Sequence, residues 1–177
     1  VSIVPADVNN ASADACGIST LSLSNTTFSC SGIGANTVWL VATDNNGNID
    51  SAISVITVLD TTKPVITSCP SNINQVSDQG SCSAIVSWAP PMATDNCVVD
   101  SLVASHNPGD TFSLGTTVVT YTAFDSEMNT STCSFSITIT DNEDPIILNM
   151  PSDITVSNDL DSCGTVGILQ QLLTIVP

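Results

Sequence analysis

Residues 107–141, NPGDTFSLGTTVVTYTAFDSEMNTSTCSFSITITD, decide the fold class of this chain. Turn-forming residues occupy 107–110, a run of β-branched and aromatic residues follows at 117–123, and polar and apolar residues alternate through 133–140. Alternation with a period of two indicates a strand with one buried and one solvated face. The stretch therefore predicts an all-β fold built from short antiparallel strands, with no helix.

The same pattern occurs earlier in the chain at a fixed spacing. Asp60 and Asp141 are separated by about 81 residues, as are Cys16 and Cys97, and this spacing is the size of one small domain. The chain is therefore predicted to be a tandem array of β-sandwiches. Residues 1–60 form a partial unit without its first strand, residues 61–141 a complete unit, and residues 142–177 the first strands of a third unit followed by an apolar tail.

Several motifs resemble the hyalin repeat (HYR) domain, and they cover the complete unit nearly end to end. They are DTTKP at 60–64, WAP at 88–90, ATDN at 93–96, PGDTF at 108–112 and CSF at 133–135. The resemblance implies an immunoglobulin-like sandwich for each unit. In addition, DACGI at 14–18 followed by FSC at 28–30 resembles a variant found in the surface repeat proteins of Bacteroidota.

Composition narrows the class of protein. The net charge is −16 with Lys63 as the single basic residue, so a nucleic acid backbone would be repelled and nucleic acid is excluded as a partner. Apolar residues occur in strand-length runs, well short of the ~18–20 needed to span a bilayer, so no transmembrane segment is predicted. A unit of roughly 80 residues is marginally stable on its own, and seven cysteines predict disulfides and an extracellular or cell-surface location.

The disulfide pattern follows partly from spacing and partly from the resemblance. Cys16 and Cys30 flank a short hairpin-like segment, and joining them would close a loop of ~15 residues worth about 3 kcal/mol. The four cysteines of the complete unit permit three pairings. The resemblance implies Cys69–Cys133 and Cys82–Cys97, with crossed pairing as the alternative, and Cys163 has no assigned partner.

Catalysis is not predicted, because the inventory of reactive groups is too small. Nucleophilic catalysis needs a base beside Ser or Cys, and the only histidine, His106, precedes an Asn-Pro-Gly turn. No glycine-rich phosphate loop opens a helix. The chain is predicted not to be an enzyme and to have no catalytic residues.

Calcium is the one cofactor that the residues favour, because carboxylates concentrate at the predicted unit junctions. The acidic stretch 141–145 resembles the linker between cadherin repeats, and a hard cation takes 6–8 oxygen ligands. The alternative is a set of solvated acidic turns, and DNNGN at 44–48 is predicted to be an ordinary turn. The candidate ligands are Asp60, Asp95, Asp125, Asp141, Glu143 and Asp144.

Glycosylation is a further candidate modification. Three asparagines fit the N-linked acceptor pattern, and three hydroxyl residues follow an aspartate in the pattern of Bacteroidota O-glycosylation. These acceptors are Asn10, Asn25 and Asn129 for N-linked glycans, and Ser51, Thr61 and Ser101 for O-linked glycans.

The function predicted from these patterns is an extracellular structural or adhesive repeat segment. The alternative is a ligand- or carbohydrate-binding module of a larger secreted protein. Such modules usually carry aromatic platforms, whereas aromatics make up 4% of this chain, Trp88 is placed for a core and Trp39 lies inside an apolar strand.

The mode of assembly also follows from the repeat. A unit without its first strand would accept a strand from the next subunit and form a head-to-tail filament, or it would belong to a longer continuous array. The residues predicted to donate or plug are apolar and lie near the end of the sequence: Ile146, Ile154, Val156, Ile168, Leu169, Leu172, Leu173 and Ile175.

Overall fold

The computed structural model describes residues 1–148, and the fold of these residues is all-β, as predicted. Two short helices are exceptions to the predicted absence of helix: α1 at Pro5–Val8 and a 3-10 helix at Cys30–Gly32. Helix α1 forms because a proline occupies the first turn and the Asp7 carboxylate accepts the Val4 N–H at 2.7 Å. Within 1–148, no helix has the length and apolar character required to cross a membrane.

Eleven strands make up the described part of the chain. In order they are β1 Ile18–Leu23, β2 Gly34–Asp44, β3 Ile49–Val58, β4 Val65–Thr67, β5 Ile73–Val76, β6 Ser83–Ile85, β7 Met92–Thr94, β8 Val99–Ala104, β9 Thr111–Ser113, β10 Gly115–Asp125 and β11 Thr130–Thr140. They form sheets in the orders β1-β2-β3, β5-β11-β10-β8, β4-β7 and β6-β9.

These strands fall into two compact units that interleave in sequence. Unit 1 comprises Val1–Cys69, Pro91–Val103 and Tyr121–Cys133, and unit 2 comprises Pro70–Pro90, Ala104–Thr120 and the residues from Ser134 onward. Strands β8, β10 and β11 contribute residues to both. This division follows contacts rather than the repeat, so the sequence-based boundaries at 60/61 and 141/142 stay predictions.

In unit 1, the sheet β1-β2-β3 buries one face and leaves the other open. Strand β2 pairs antiparallel with β3 along its length, and Val38 and Leu40 point into the core. Trp39, between them, points the opposite way and is 45% exposed, with Ile53 opposite it on β3. Trp39 therefore lies on the solvent face, because its position in the period-two pattern places it opposite the buried residues.

In unit 2, an aromatic core joins two sheets. Trp88 packs edge-on against Phe112 of β9 and Phe135 of β11, with ring centroids 6.0 and 5.3 Å apart respectively. Edge-to-face contact is the favourable arrangement of aromatic rings at this distance. Trp88 is thus a packing residue, as its position predicts.

The sheet β5-β11-β10-β8 contains a pair that the antiparallel prediction missed. Strand β5 runs parallel to β11, with Ile73 opposite Ile137 and Val76 opposite Thr140. A parallel pair needs a long connection, and more than fifty residues separate these two strands in the sequence. Local periodicity indicates that a strand exists but not which neighbour it takes, so this direction was not predictable from the pattern.

Three strands of residues 1–60 match three strands of the later segment in bounds and in sheet order. The bounds of β1 and β2 become those of β8 and β10 when shifted by about 81 residues, and β3 starts at the position that matches β11. The order β1-β2-β3 corresponds to β8-β10-β11. In the four-stranded sheet, β5 pairs with β11. Among residues 1–148, no strand takes the corresponding place beside β3.

The hairpins that follow β2 and β10 make the same hydrogen bonds. Asp44 Oδ1 accepts the N–H groups of Asn46 and Asn48 at 2.8 Å, and its Oδ2 accepts Asn48 Nδ2 at 2.7 Å. Asp125 accepts the corresponding groups of Glu127 and Asn129 at 2.7 to 2.9 Å. Residues 44–48 are thus a hairpin turn closed by an aspartate side chain.

Candidate functional site

The candidate site is the joint at which residues 1–60 meet the loop before β8, all within unit 1. We use "joint" for Cys30, Asp60, Asp95, Cys97 and Asn129. Cys30 opens the 3-10 helix and forms a disulfide with Cys97, with Cα atoms 5.4 Å apart. The bond joins residues 67 positions apart and lies beside Asp60.

This disulfide corrects two predicted pairings, Cys16–Cys30 and Cys82–Cys97. Cys16 and Cys82 are instead free and exposed. The Cys16 N–H donates to Asp14 Oδ1 at 2.7 Å in a tight turn. The prediction favoured Cys16 because it is close to Cys30 in sequence, but the fold brings Cys30 against a loop far along the chain. Loop-closure entropy is a weak guide to pairing once tertiary contacts decide which sulfurs meet.

The second disulfide is one of the two that the family resemblance implied. Cys69 and Cys133 are bonded, with Cα atoms 6.1 Å apart, and tie the segment after β4 to β11. Cys163 lies outside the described residues. Both disulfides therefore lie in unit 1 and join the separate sequence segments of that unit.

Hydrogen bonds hold Asp60 in place within the joint. Its backbone carbonyl accepts Asn129 Nδ2 at 3.1 Å, and its Oδ1 accepts the Thr62 N–H at 3.0 Å. The same Asn129 nitrogen donates to Asp125 Oδ2 at 2.8 Å. The backbone at Asp60 is thus held by the hairpin that follows β10.

Asp95 is the unusual acid of the joint. Its Oδ1 accepts the Cys97 N–H at 2.9 Å, while its Oδ2 is buried and finds no hydrogen-bond partner among the described residues. Oxygens of Asp60 and Asp95 and the Cys97 sulfur lie within 4.8 Å of one another. Two carboxylates this close repel each other, and a buried carboxylate oxygen without a partner is costly.

The joint fits a hard cation in part. Asp60 and Asp95 supply the carboxylate oxygens that calcium prefers, whereas Cys97 is consumed by its disulfide and offers no ligand. Asp125 is also predicted as a ligand, but it is 1% exposed and both of its oxygens are taken by its own hairpin. The structure therefore gathers two of the six predicted ligands into one cluster and gives Asp125 a structural role.

The other three predicted ligands belong to unit 2 and are exposed. The Glu143 carboxylate accepts the Gly80 N–H, with Oε2 at 2.9 Å, and the Glu143 N–H donates to Asp141 Oδ1 at 2.9 Å. Asp144 is exposed beside them. These contacts are those of an acidic turn, which was the alternative to a calcium linker at this position.

The predicted glycosylation acceptors differ in accessibility. Asn10, Asn25, Ser51 and Thr61 are exposed and Ser101 is half-buried. Asn129 is half-buried and its Nδ2, the atom that would carry a glycan, donates to both Asp60 and Asp125. Modification at the exposed positions stays a prediction, and the geometry disfavours Asn129.

Of the predicted strand-donor residues, only Ile146 is described, and its side chain is 69% exposed. Ile154, Val156, Ile168, Leu169, Leu172, Leu173 and Ile175 lie outside the described residues.

His106 makes contacts that serve packing. Its Nδ1 lies 3.1 Å from Ser105 Oγ, and its ring packs on Phe112 with centroids 5.3 Å apart. Ser105 Oγ also accepts the Thr120 N–H at 3.0 Å, so this hydroxyl is engaged by the backbone of β10. Both side chains are therefore engaged in packing and hydrogen bonding within unit 2.

One signal in the sequence pointed to the joint but was not used. DAC at 14–16 and DNC at 95–97 lie about 81 residues apart and form the same turn, with the aspartate accepting the cysteine N–H. Cys97, unlike Cys16, has a cysteine of the preceding segment within reach. The equivalence indicated that Cys97 and Cys16 take the same local structure, but it did not indicate Cys30 as the partner of Cys97.

The sequence similarity of this chain to known proteins extends well beyond the residues of the joint. Residues 59–139 match the family model of the HYR domain. Hyalin of Strongylocentrotus purpuratus is 38% identical over 141 residues, covering 76% of this chain and 12% of that protein. Hyalin of Lytechinus variegatus is 31% identical over 142 residues, covering 77% of this chain and 26% of that protein. This chain therefore spans about an eighth and about a quarter of these relatives.

Two further similarities cover part of the chain or of its fold. A rat protein named "Sushi, von Willebrand factor type A, EGF and pentraxin domain-containing protein 1" is 37% identical over 110 residues, covering 60% of this chain and 3% of that protein. The structure of protocadherin gamma B7 extracellular cadherin domains 1–4 aligns with a TM-score of 0.35 and 15% identity, covering 78% of this chain and 46% of that one. A Bacteroidota origin stays a prediction. Together, the family match and the hyalin relatives support a HYR domain at residues 59–139.

Proposed function

We propose that this chain is a non-enzymatic segment of an extracellular structural or adhesive protein, built from tandem immunoglobulin-like units. The observation that carries the proposal is the joint, where the Cys30–Cys97 disulfide crosses from residues 1–60 to the loop before β8. A disulfide that spans a linker resists extension and proteolysis, and it forms in an oxidising compartment. Both properties suit a protein that bears load outside the cell.

The hydrogen bonds of the joint support the same proposal. Asn129 holds the linker carbonyl of Asp60, and Cys69–Cys133 ties the strand segment that follows the linker. Consecutive domains normally move relative to each other unless their interface is large. Covalent closure of a short linker removes that freedom, which favours reach and rigidity over the hinge motion typical of many enzymes.

Assembly by head-to-tail strand complementation is the proposed way in which such segments join. The partner is a second copy of the chain, or neighbouring repeats where the segment belongs to a longer array. A heterologous contact of this kind generates open filaments rather than closed oligomers.

An adhesion assay tests the proposal. Beads coated with the oxidised full chain should aggregate with one another or bind to a cell surface, and electron microscopy of the concentrated chain should show rods or filaments. Cys30→Ser with Cys97→Ser should shorten or loosen these assemblies, whereas Cys16→Ser, which removes an exposed free thiol, should not. Beads that remain dispersed, together with a chain that stays globular and monomeric, would contradict a structural or adhesive function.

Calcium binding at the joint is a second proposal, favoured by the orphan oxygen of Asp95. A bound cation would be held by Asp60 and Asp95, would satisfy Asp95 Oδ2 and would offset the repulsion between the two carboxylates. The chain supplies Lys63 as its only cationic side chain, so a metal ion is the available source of positive charge.

The carbohydrate-binding alternative rests on Trp39. Trp39 lies inside strand β2, as predicted, but the residue is 45% exposed on the solvent face of the sheet. A glycan array with wild type and Trp39→Ala would decide it. A specific glycan lost only in the Trp39 variant favours a binding module, and an array without hits favours the structural function.

A further inference from the structure

Trp39 and Thr120 occupy equivalent positions in two matching sets of strands. The Trp39 N–H donates to Ser24 Oγ at 3.0 Å, and the Trp39 carbonyl accepts the Ser24 N–H at 3.1 Å. The Thr120 N–H donates to Ser105 Oγ at 3.0 Å, and the Thr120 carbonyl accepts the Ser105 N–H at 2.9 Å. The two pairs are related by the spacing of about 81 residues. The backbone makes the same bonds at both positions, so the side chains can be compared directly.

The two sets of strands carry different side chains on the side that faces away from the core. Across β10 and β11, Thr120 Oγ1 lies 3.1 Å from Ser134 Oγ, so the two hydroxyls share a hydrogen bond. At the matching place across β2 and β3, Trp39 lies opposite Ile53. A pair of hydroxyls is sufficient at this position of the fold, so folding alone does not account for the two apolar side chains.

The apolar side chains on this side form an exposed patch without charge. We use "Trp39 face" for Trp39, Ile53 and Val55, which are 45%, 58% and 59% exposed. The outward-facing residues of β2 and β3 are the odd-numbered residues of 35–43 and 49–57, and none of them is charged. An exposed apolar patch with a polar rim is typical of an interaction site.

Additional strands do not cover this side of the sheet. Strand β5 joins the later set of strands at β11, and Ser134, the counterpart of Ile53, is still exposed. An added strand extends a sheet sideways and leaves its faces as they were. The exposure of the Trp39 face is therefore a property of the face and not of the edge beside it.

We propose that the Trp39 face binds the Trp39 face of a second copy of this chain, so that two β1-β2-β3 sheets pack face to face. Sheets pack in this way about 10 Å apart, with their strands about 30° from parallel. The contact is two-fold symmetric, because the same surface serves both copies. A two-fold axis between Trp39 and Ile53 places the indole of each copy against the isoleucine of the other. This contact is separate from head-to-tail assembly and does not require it.

Charge directs two copies to this face. Each chain carries a net charge of −16, so two copies repel where their acidic surfaces meet. Lys63 is the single basic residue, and it cannot neutralise the acidic surface of another copy. Contact at the Trp39 face buries apolar surface without burying a carboxylate, which would be costly.

A second copy fits the Trp39 face better than a glycan does. Small-molecule sites combine an apolar surface with a few polar groups that fix the orientation of the ligand. Compared with Thr120 and Ser134, Trp39 and Ile53 lack two hydroxyls at the centre of the face. The loss of hydrogen-bonding groups together with the gain of apolar surface favours a dry contact between two sheets.

The size of the face predicts a weak contact. Five outward residues along a strand span about 27 Å and three strands about 14 Å, which gives roughly 400 Å² per copy. Two copies would together bury about 800 Å², which is the size of a weak or transient association. The dimer should therefore form at high concentration and dissociate on dilution.

Two variants of the full oxidised chain test the contact. Trp39→Thr with Ile53→Ser installs the hydroxyl pair of the matching strands. Val55→Asp brings a carboxylate from each copy into the contact, and it tests the proposal independently if the double variant does not fold. Val118→Asp is the matched control, because Val118 is 57% exposed on the outward side of β10.

Sedimentation over a hundredfold concentration range measures the association. In ~1 M NaCl the Debye length is about 3 Å, so long-range repulsion between copies is screened. Wild type and Val118→Asp should approach the mass of two copies. The dissociation constant of each face variant should be roughly tenfold higher or more, because the apolar contact is lost or a carboxylate is buried.

Tryptophan fluorescence locates the contact. The emission of Trp39 should shift to shorter wavelength as wild type and Val118→Asp dimerise, because the ring leaves water. Trp88, which packs against Phe112 and Phe135, gives a constant background. Val55→Asp keeps Trp39 and should lack the shift.

The outcomes separate this contact from others. Growth beyond two copies together with the Trp39 shift would support the face contact and add a second one, because a two-fold contact closes at two copies. Assemblies that persist in both face variants, with unchanged Trp39 emission in wild type, would overturn the proposal and leave head-to-tail assembly standing. A wild type that stays monomeric with solvent-exposed Trp39 would also overturn it. If hydroxyethyl cellulose, a neutral glucan, then shifts the Trp39 emission, the face binds carbohydrate instead.

Discussion

Gly47 and Met128 occupy the same left-handed turn position, with φ of 87° and 65°, in two hairpins that lie about 81 residues apart. The N–H of each donates to the carbonyl of the aspartate that closes its hairpin, Asp44 or Asp125. Glycine takes this conformation without steric cost, whereas a side chain is disfavoured there by about 1–2 kcal/mol.

Met128→Gly should therefore stabilise the chain. The Met128 side chain is 74% exposed, so little packing is lost, and relief of the backbone outweighs the added freedom of glycine in the unfolded state. We expect a gain of about 0.5–1 kcal/mol in the free energy of unfolding measured by urea denaturation. Gly47→Met is the matched reversal and should lower stability. Equal stability of Met128→Gly and wild type would mean that the hairpin adapts without strain.

The Asp44 carboxylate should make stability depend on pH. Hydrogen bonds from the Asn48 side chain first, and then from the Asn48 backbone, lower the pKa of Asp44 below its ordinary value. A carboxylate with a lowered folded-state pKa contributes stability above its unfolded pKa, near 3.9, and loses it as pH falls through the folded value.

The comparison with Asp44→Asn measures this contribution. Wild type should be more stable than Asp44→Asn at pH 7, and the difference should shrink progressively as pH falls below about 4. Thermal melts at several pH values provide the measurement. Asp50→Asn, at an exposed position on β3, controls for the change in net charge. A difference that does not vary with pH would show that the lost bonds do not depend on ionisation.

Local patterns predicted the fold class but not the long-range pairing. The content of β-branched and aromatic residues located β10, and period-two alternation located β11, each to within a few residues. Strands β7 and β9, of three residues each, were not predicted. The parallel pairing of β5 with β11 was not predicted either, because direction depends on the path of the chain rather than on the strand itself.

The residue types of the candidate site could be predicted from the sequence, but most of the contacts and the disulfide that bring them together could not. Asp60 was predicted as a ligand at a unit junction and Asp95 as a ligand in a loop, and the structure brings them together. Asp125 was also predicted as a ligand from a loop, but its hairpin bonds consume both oxygens. The Cys30–Cys97 bond was not predicted, because sequence proximity favoured Cys16 for Cys30 and the family resemblance implied Cys82 for Cys97.

Calcium should reverse the effect of Asp95→Asn on stability. In a chelator, Asp95→Asn should be more stable than wild type, because it removes a carboxylate next to Asp60 and its Oδ1 can still accept the Cys97 N–H. In calcium at about ten times the dissociation constant, wild type should gain about 1.4 kcal/mol and the variant should gain little. Calorimetry in chelator and in calcium tests this crossing of the two stabilities.

Asp144→Asn is the control for that experiment, because it removes one negative charge from an exposed acid outside the joint. It should retain the calcium response of wild type. An equal response in wild type and Asp95→Asn would locate any calcium site away from the joint, and no response in either chain would leave the joint as an acidic turn.

Breaking the Cys30–Cys97 disulfide should destabilise the chain more than removing either free thiol. The bond closes a loop between residues 67 positions apart, for which the chain-entropy model gives about 4 kcal/mol. Cys30→Ser with Cys97→Ser should therefore lower the free energy of unfolding by about that amount, whereas Cys16→Ser and Cys82→Ser should change it little because both thiols are exposed.

Non-reducing peptide mapping identifies the bond directly. An aspartate-specific protease suits the digest, because Lys63 is the only lysine or arginine site. A Cys30–Cys97 peptide with alkylated Cys16 confirms the pairing, and a Cys16–Cys30 peptide would contradict both the bond and the joint that it closes.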